Sequence, residues 1–154
     1  MALILLAFIR SDLMQNWRQS LPADAPNRFV INIQPEQIAS IKQFFNDAQI
    51  GNTSIYPMIR GRLVALNNRP FNADQFKDER ARKLAEREFN LSIAKQMQTD
   101  NQLIAGRWWS ESEFSKPFVS IEEGLAKTLG LKMGDELTYD IAGTRITLTI
   151  TSLR

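Results

Sequence analysis

The chain has 154 residues, of which 44% are hydrophobic and 23% are charged, a composition typical of an ordinary globular protein. It contains no histidine and no cysteine, which removes the usual general base near neutral pH, the commonest zinc ligands and the thiol nucleophile. Its 19 basic and 17 acidic residues nearly balance, so the charge does not favour a nucleic-acid partner. We expect no cofactor and no metal site.

Residues 1–9 are all apolar. Crossing a bilayer takes about 20 such residues, and no basic residue precedes the run as it would in a signal peptide. Two interpretations stay open, the first helix of a soluble core and the outer end of a transmembrane helix. Helical spacing of apolar residues continues to Leu21, and Pro22 and Pro26 then delimit a linker.

After the linker, apolar residues alternate with others over residues 29–33, which predicts a strand with one buried face. Pro35 then opens a helix whose apolar residues line one side until Gly51. Residues 53–66 are strand-like again. Strand, helix and strand in this order predict a βαβ unit. Its first corner has no glycine-rich turn, which argues against a dinucleotide or P-loop site.

Residues 74–88 are rich in charge and predict a solvent-exposed helix at one edge of the domain. Its core-facing residues are predicted to be Phe76, Ala81, Leu84 and Ala85. Opposite charges lie four residues apart in three pairs, Asp78 with Arg82, Glu79 with Lys83, and Arg82 with Glu86. Alternating residues on both sides of a turn at 99–101 then predict a hairpin over residues 89–108.

Trp108 and Trp109 are the most suggestive functional residues, because indole rings stack on sugars or bases and anchor at membrane interfaces. Adjacent side chains on an extended chain point to opposite faces. We therefore expect at most one ring on a given surface and the other in the core, and structural packing is the simpler interpretation. Gly106 permits a bend before the pair, and Arg107 is placed to cover one ring.

Residues 119–153 read as one unit of a helix followed by two strands. Ser120 and Glu123 have the spacing of a capping box, which predicts a helix over residues 120–129. Two alternating segments follow, separated by a turn at residues 142–143, which predicts a hairpin. Such a unit is typical of binding or transmission rather than catalysis.

Four acidic residues in this unit offer a remaining route to catalysis, as paired carboxylates. Adjacent acids on a helix diverge, and the other two lie where turns normally place acidic residues. A carboxylate-dependent enzyme is therefore an alternative that requires these side chains to converge on a pocket. The four residues are Glu122, Glu123, Asp135 and Glu136.

Seven sequence blocks, in order over residues 26–154, resemble the periplasmic domain of YbbP-type ABC transporter permeases. The family is similar in turn to the MacB, FtsX and LolC/LolE permeases. None of the blocks is a catalytic motif, so the resemblance implies a family without implying a chemical step. The blocks are PNRFVINIQPEQ (26–37), GRLV (61–64), REFNL (87–91), AGRWW (105–109), SIEEGLA (120–126), DIAG (140–143) and TSLR (151–154).

The resemblance implies an α+β fold in two parts, a ferredoxin-like or porter-type βαβ subdomain over residues 26–114 and a small, mostly β subdomain of helix plus hairpin over 115–154. Residues 1–25 then become the end of a transmembrane helix and a linker. The family's domain runs on past this point, so we expect a truncated β subdomain whose strand over 144–153 is an open edge.

The resemblance also implies a function, that of an extracytoplasmic domain at the periplasmic face of the bacterial inner membrane. Such a domain couples ATP-driven movement of membrane helices to the handling of a substrate, with lipid or lipoprotein as the implied class, or to partner docking. The implied partners are a cytoplasmic ATPase subunit and a second extracytoplasmic domain or periplasmic protein. We assign the contact surface to Arg107, Trp108 and Trp109. The alternative is a free-standing periplasmic ligand-binding domain or a carboxylate-dependent hydrolase.

Overall fold

The computed structural model describes residues 30–51, 54–98 and 101–154, which fall into two compact units, Met1–Thr53 and Ser54–Arg154. The apolar run, the helix and the linker predicted before residue 30 lie outside the described residues. Among the helices of the described residues, none has both the length and the apolar character that crossing a bilayer requires.

In the first unit, a 3₁₀ turn (Pro35–Gln37) leads directly into helix α1 (Ile38–Asp47). Pro35 occupies the first position of the turn, where its missing N–H costs nothing. The side chain of Gln37 accepts a hydrogen bond from the backbone N–H of Gln34 at 3.0 Å, which satisfies one free donor at the start. The helix predicted to open at Pro35 is confirmed.

The strand predicted over residues 29–33 is not formed in the part that the structure describes, residues 30–33. Asn32 adopts a φ of 61°, in the left-handed region, which interrupts an extended chain. Val30 and Ile31 are 60% and 71% exposed, so their alternation reflects no buried face. The predicted βαβ unit is therefore wrong.

The second unit is built on a seven-stranded mixed sheet, and the α+β class is confirmed. Its strands are β1 (Ile59–Leu66), β2 (Arg69–Pro70), β3 (Phe89–Leu91), β4 (Ala105–Gly106), β5 (Phe118–Ile121), β6 (Glu136–Ile141) and β7 (Thr144–Leu153). The strand order is β2-β1-β6-β7-β4, while β3 also pairs with β1 and β5 also pairs with β7. Among the pairings of these described strands, only that of β5 with β7 is parallel. The sheet joins strands from before and after residue 115.

Two tight hairpins, β1–β2 and β6–β7, turn through two residues each. The central residues have positive φ, 50° and 62° at Asn67 and Asn68, and 50° and 86° at Ala142 and Gly143. Positive φ at both positions is typical of the type I′ turn, whose twist matches that of the strands. The hairpin predicted around residues 142–143 is confirmed. The Asn67 side chain also accepts a hydrogen bond from the Glu136 N–H at 2.9 Å, which ties the first turn to β6.

The hairpin predicted over residues 89–108 is wrong, because its two strands pair elsewhere. β3 pairs with β1, and β4 pairs with β7. Phe89 is buried edge-on against Tyr139 of β6, with ring centroids 6.0 Å apart. Burial against distant strands, which local alternation does not encode, decides the partner of each strand.

The open edge predicted for residues 144–153 is wrong for residues 149–153. β7 pairs with β6 over residues 144–149, with β5 over residues 149–153 and with β4 at Ser152 and Leu153. Because β4 and β5 pair with the same two residues, they lie on opposite sides of β7, and residues 144–148 pair with β6 alone.

The core lies between one face of the sheet and two helices, α2 (Glu79–Glu86) and α3 (Glu123–Leu129). The helices contribute small residues, so they approach the sheet closely. Ala81 and Ala85 are buried and Phe76 and Leu84 pack against the core, as predicted for this helix. The largest fully buried side chains of the sheet are those of Leu137, Tyr139 and Ile150.

Helix α2 begins at Asp78, which the charge pattern predicted to form an ion pair with Arg82. The carboxylate of Asp78 accepts a hydrogen bond from the Ala81 N–H at 2.9 Å instead of pairing with Arg82. The predicted pair of Glu79 with Lys83 is formed at 2.7 Å. It is exposed, so its contribution to stability is small.

Helix α3 begins later than predicted. Ser120 belongs to β5, which continues to Ile121 because it pairs in parallel with β7. The N-cap is Glu122, whose two carboxylate oxygens accept hydrogen bonds from the backbone N–H groups of Gly124 and Leu125, both at 3.0 Å. The predicted Ser120–Glu123 capping box is therefore wrong.

Candidate binding surface

Trp108 and Trp109 lie directly after β4 and stack on each other. Their ring centroids are 4.0 Å apart and their planes differ by 31°. The prediction that the rings point to opposite faces is wrong, because the chain is no longer a strand after Gly106, which has a φ of 77°. Both rings are half-buried, and neither belongs to the hydrophobic core. The pair is thus a surface feature.

The polar edges of both indoles are hydrogen-bonded to the segment that follows β3. Trp108 Nε1–H donates to the carbonyl oxygen of Lys95, and Trp109 Nε1–H donates to that of Ala94, both at 3.2 Å. These bonds connect the loop after β4 with the segment after β3. With their N–H groups satisfied, the rings have only apolar faces left for further contacts.

Arg107 forms a bidentate ion pair with Glu113, with N···O distances of 2.6 and 2.8 Å. Its guanidinium is therefore committed to a carboxylate instead of covering an indole. The Glu113 side chain is 14% exposed and also accepts hydrogen bonds from the N–H and hydroxyl of Ser110, both at 3.1 Å. Hydrogen bonding by Arg107, followed by that of Ser110, holds the pKa of Glu113 well below its usual range. This cluster fixes the loop that carries the tryptophans.

A shallow cleft of about 440 Å³ opens beside Trp109. The rings of Trp109 and Phe118 supply apolar wall, and the other lining residues are Gly106, Arg107 and Thr151. The Thr151 hydroxyl oxygen is buried and has no hydrogen-bond partner among the described residues. The cleft therefore presents mainly two aromatic rings, an arrangement that suits a largely apolar ligand.

Gly106 is required at the base of this cleft. A Cβ atom at this position would overlap the carbonyl oxygen of Thr151 and lie 2.5 Å from Cε of Met133. Glycine thus allows β4 to approach β7 closely and to turn outward into the tryptophan loop.

Three of the four acidic residues considered for catalysis have local structural partners. Glu122 caps α3, and Glu123 pairs with Lys127 at 2.9 Å. Asp135 closes its own turn by accepting a backbone N–H at 2.7 Å. The fourth, Glu136, is exposed on β6. Within the described residues, no cluster of three or more acidic side chains has the geometry to hold a metal ion.

The chain is 38% identical over all of its 154 residues to the uncharacterized ABC transporter permease YbbP of Escherichia coli (strain K12). The chain belongs to the YbbP-type ABC transporter permease family. It spans 18% of the length of that relative, so it corresponds to one part of such a protein. No protein-family model matches the chain, and neither does any solved structure. The family resemblance drawn from the sequence blocks is confirmed.

In this YbbP-type chain, sequence reasoning identified Arg107, Trp108 and Trp109 but missed two groups that complete the surface. The first is Glu113, which lies three residues after Ser110, the spacing of a capping box. The structure contains this capping box, so the sequence did carry a signal for Glu113. Phe118 reaches the cleft through the parallel pairing of β5 with β7, for which the sequence carries no local signal.

Proposed function

We propose that this chain is the extracytoplasmic domain of an ABC transporter permease subunit, at the periplasmic face of the bacterial inner membrane. The similarity to YbbP supports this proposal. In it, residues 1–25 are the end of a membrane helix and a linker, and a cytoplasmic ATPase drives the membrane helices. The domain performs no chemistry and transmits that movement to a substrate or a partner.

We further propose that the Trp109 cleft binds an apolar group, with a lipid acyl chain as the preferred substrate class. The observation that carries this proposal is the stacked tryptophan pair, whose N–H groups are already bonded and of which Trp109 lines the cleft. A second extracytoplasmic domain or a periplasmic protein would use the same rings as a docking contact. A hydrolase finds less support, because three of its four candidate acids are engaged in local contacts.

Tryptophan fluorescence tests this binding proposal. Trp17 is the third tryptophan of the chain, so a Trp17→Phe background leaves only the stacked pair as the source of emission. We expect lysophospholipid to shift this emission saturably, whereas a neutral peptide has no effect. Adding Trp109→Phe is expected to abolish the shift, while Trp108→Phe weakens it, because only Trp109 lines the cleft.

The absence of any shift with lysophospholipid in the Trp17→Phe background would overturn the acyl-chain proposal. A shift that survives in both single variants would place the ligand elsewhere on the chain. Circular dichroism of each variant serves as the control for folding.

A further inference from the structure

The sheet face opposite the core carries a row of charged residues. Gly61 and Leu63 of β1 are buried, so strand alternation places their neighbours Arg60 and Arg62 on the other face. The row continues across the sheet, since Arg62 lies directly opposite Asp140 of β6, and Asp140 lies directly opposite Arg145 of β7.

The three arginines of this row are exposed, and the ion pairs formed among the described residues involve other side chains. Asp140 accepts a hydrogen bond from the Gly143 N–H at 2.9 Å, which commits one of its oxygens to the hairpin turn. We call Arg60, Arg62 and Arg145 the arginine row. Even against Asp140 and the exposed Glu136 on the same face, it leaves an excess of one positive charge.

Two threonines lie beside the charged residues on this face. The hydroxyl groups of Thr138 and Thr147, which face each other on β6 and β7, are 2.9 Å apart. The helices α2 and α3 contribute their buried residues to the core on the opposite side. An exposed sheet face whose arginines have no ion-pair partner among the described residues suits an extended anionic partner.

The Trp109 cleft opens on the same face. Phe118 pairs with Thr149, which alternates away from the buried Ile150, so this cleft residue lies on the side of the arginine row. Arg145 and Thr151 are six positions apart along β7, a distance of roughly 20 Å. Arginines at one end and a tryptophan at the other are typical of surfaces that lie on a bilayer.

We propose that this face docks on an anionic phospholipid surface through the arginine row. Charge complementarity supports this partner, because each basic residue near an anionic bilayer raises partitioning about fivefold. Such contact is weak for a free protein, but it becomes effective for a domain held beside the membrane by its own chain. This inference depends on the proposed function in one respect. The proposed extracytoplasmic placement is what brings the domain next to a lipid surface.

Vesicle flotation of the full 154-residue chain tests the proposal. Partitioning is measured on two kinds of vesicle, one of phosphatidylcholine mixed with phosphatidylglycerol and one of phosphatidylcholine alone. The readout is the partition coefficient for the mixed vesicles divided by that for the phosphatidylcholine vesicles. This ratio cancels any charge-independent contribution from the apolar residues 1–9. We expect the wild-type ratio to exceed one and to fall with added salt. The triple variant Arg60→Gln/Arg62→Gln/Arg145→Gln is expected to lower partitioning to anionic vesicles on the order of 100-fold.

The matched control is Lys77→Gln/Arg80→Gln/Arg82→Gln. It removes the same charge from exposed positions within and just before α2, which packs on the other side of the sheet. We expect the control to keep most of the wild-type ratio. Equal losses in both triple variants would overturn the proposal, because they would reflect net charge alone.

A wild-type ratio of one would also overturn the proposal. Binding to polyglutamate in the absence of vesicles would also overturn the proposal if the arginine-row variant abolished that binding. Such a result would indicate an acidic protein partner instead. The Trp109→Phe variant distinguishes this inference from the proposed function. This variant retains the arginine row. We therefore expect it to lose the fluorescence response to lysophospholipid and to keep the wild-type flotation ratio.

Discussion

Replacing Gly106 by alanine tests how β4 and the tryptophan loop are held to the sheet. The new Cβ would overlap the Thr151 carbonyl oxygen and lie 3.0 Å from Cα of Ser152, so it would meet backbone atoms rather than a flexible side chain. Gly106 also has a φ of 77°, a region that alanine adopts at a cost of roughly 1–2 kcal/mol. Relief of the overlap requires β4 to move away from β7.

The magnitude follows from a comparison with Gly130, the residue that ends α3. Gly130 has a φ of 69°, and a Cβ added there would meet no atom within 4 Å, so Gly130→Ala incurs the conformational cost alone, about 1–2 kcal/mol. Gly106→Ala adds the displacement of a backbone contact, and we expect a total loss of about 2–4 kcal/mol in the free energy of unfolding.

Urea unfolding followed by circular dichroism gives the two free energies of unfolding under the same conditions. We also expect the tryptophan emission of Gly106→Ala to shift to the red, because the loop carrying the stacked pair starts at this residue. A Gly106→Ala variant that loses no more stability than Gly130→Ala and keeps the wild-type emission would refute the predicted displacement of β4.

Three further changes probe the loop, the hairpin and the core. The low pKa of Glu113 means that its contribution to stability is present above its ordinary value of about 4.5 and is lost as the pH falls through the lower folded-state value. Tryptophan emission of the wild type should therefore change only in acid, whereas Glu113→Gln should show the altered emission at neutral pH. Ala142 has a φ of 50° in the β6–β7 turn, so Ala142→Asn should raise the free energy of unfolding by about 1 kcal/mol in urea titrations; a loss of stability would contradict the turn assignment. The buried Ser152 hydroxyl has no partner among the described residues. Ser152→Ala should therefore leave the free energy of unfolding unchanged or raise it by up to about 1 kcal/mol, and the thermal midpoint should stay the same or rise. A clear fall in that midpoint would mean that the hydroxyl makes a bond.

The features that the sequence predicted correctly depend on neighbouring residues. Alternation on both sides of residues 142–143 specified the C-terminal hairpin, because each strand buries one face and the turn tolerates positive φ. The apolar spacing in α2 identified Ala81 and Ala85 as buried. In both cases the pattern and the burial lie on the same short segment.

The features that were missed depend on distant residues. Val30 and Ile31 alternate like a strand, but no pairing within the described residues holds them, and Asn32 turns the chain. Ser120 and Glu122 both suit a helix start, and the parallel pairing of β5 with β7 decides in favour of Glu122. Local preference gives way where a long-range strand contact buries more surface.

The candidate surface shows the same division. The identity of the tryptophans and of Arg107 was readable from the sequence, because these residue types commonly form contacts. Their arrangement was not readable, since the stacking depends on a loop conformation after Gly106 and on carbonyl groups of the segment after β3.

The most direct test of the proposed acyl-chain site is contact quenching by a lysophospholipid brominated on its acyl chain. In a Trp17→Phe/Trp108→Phe chain, Trp109 is the only fluorophore of its kind. We predict that the brominated lipid quenches Trp109 saturably and more strongly than the same lipid without bromine. Equal emission with the two lipids at saturation would contradict the account, because the acyl chain would then not reach the cleft.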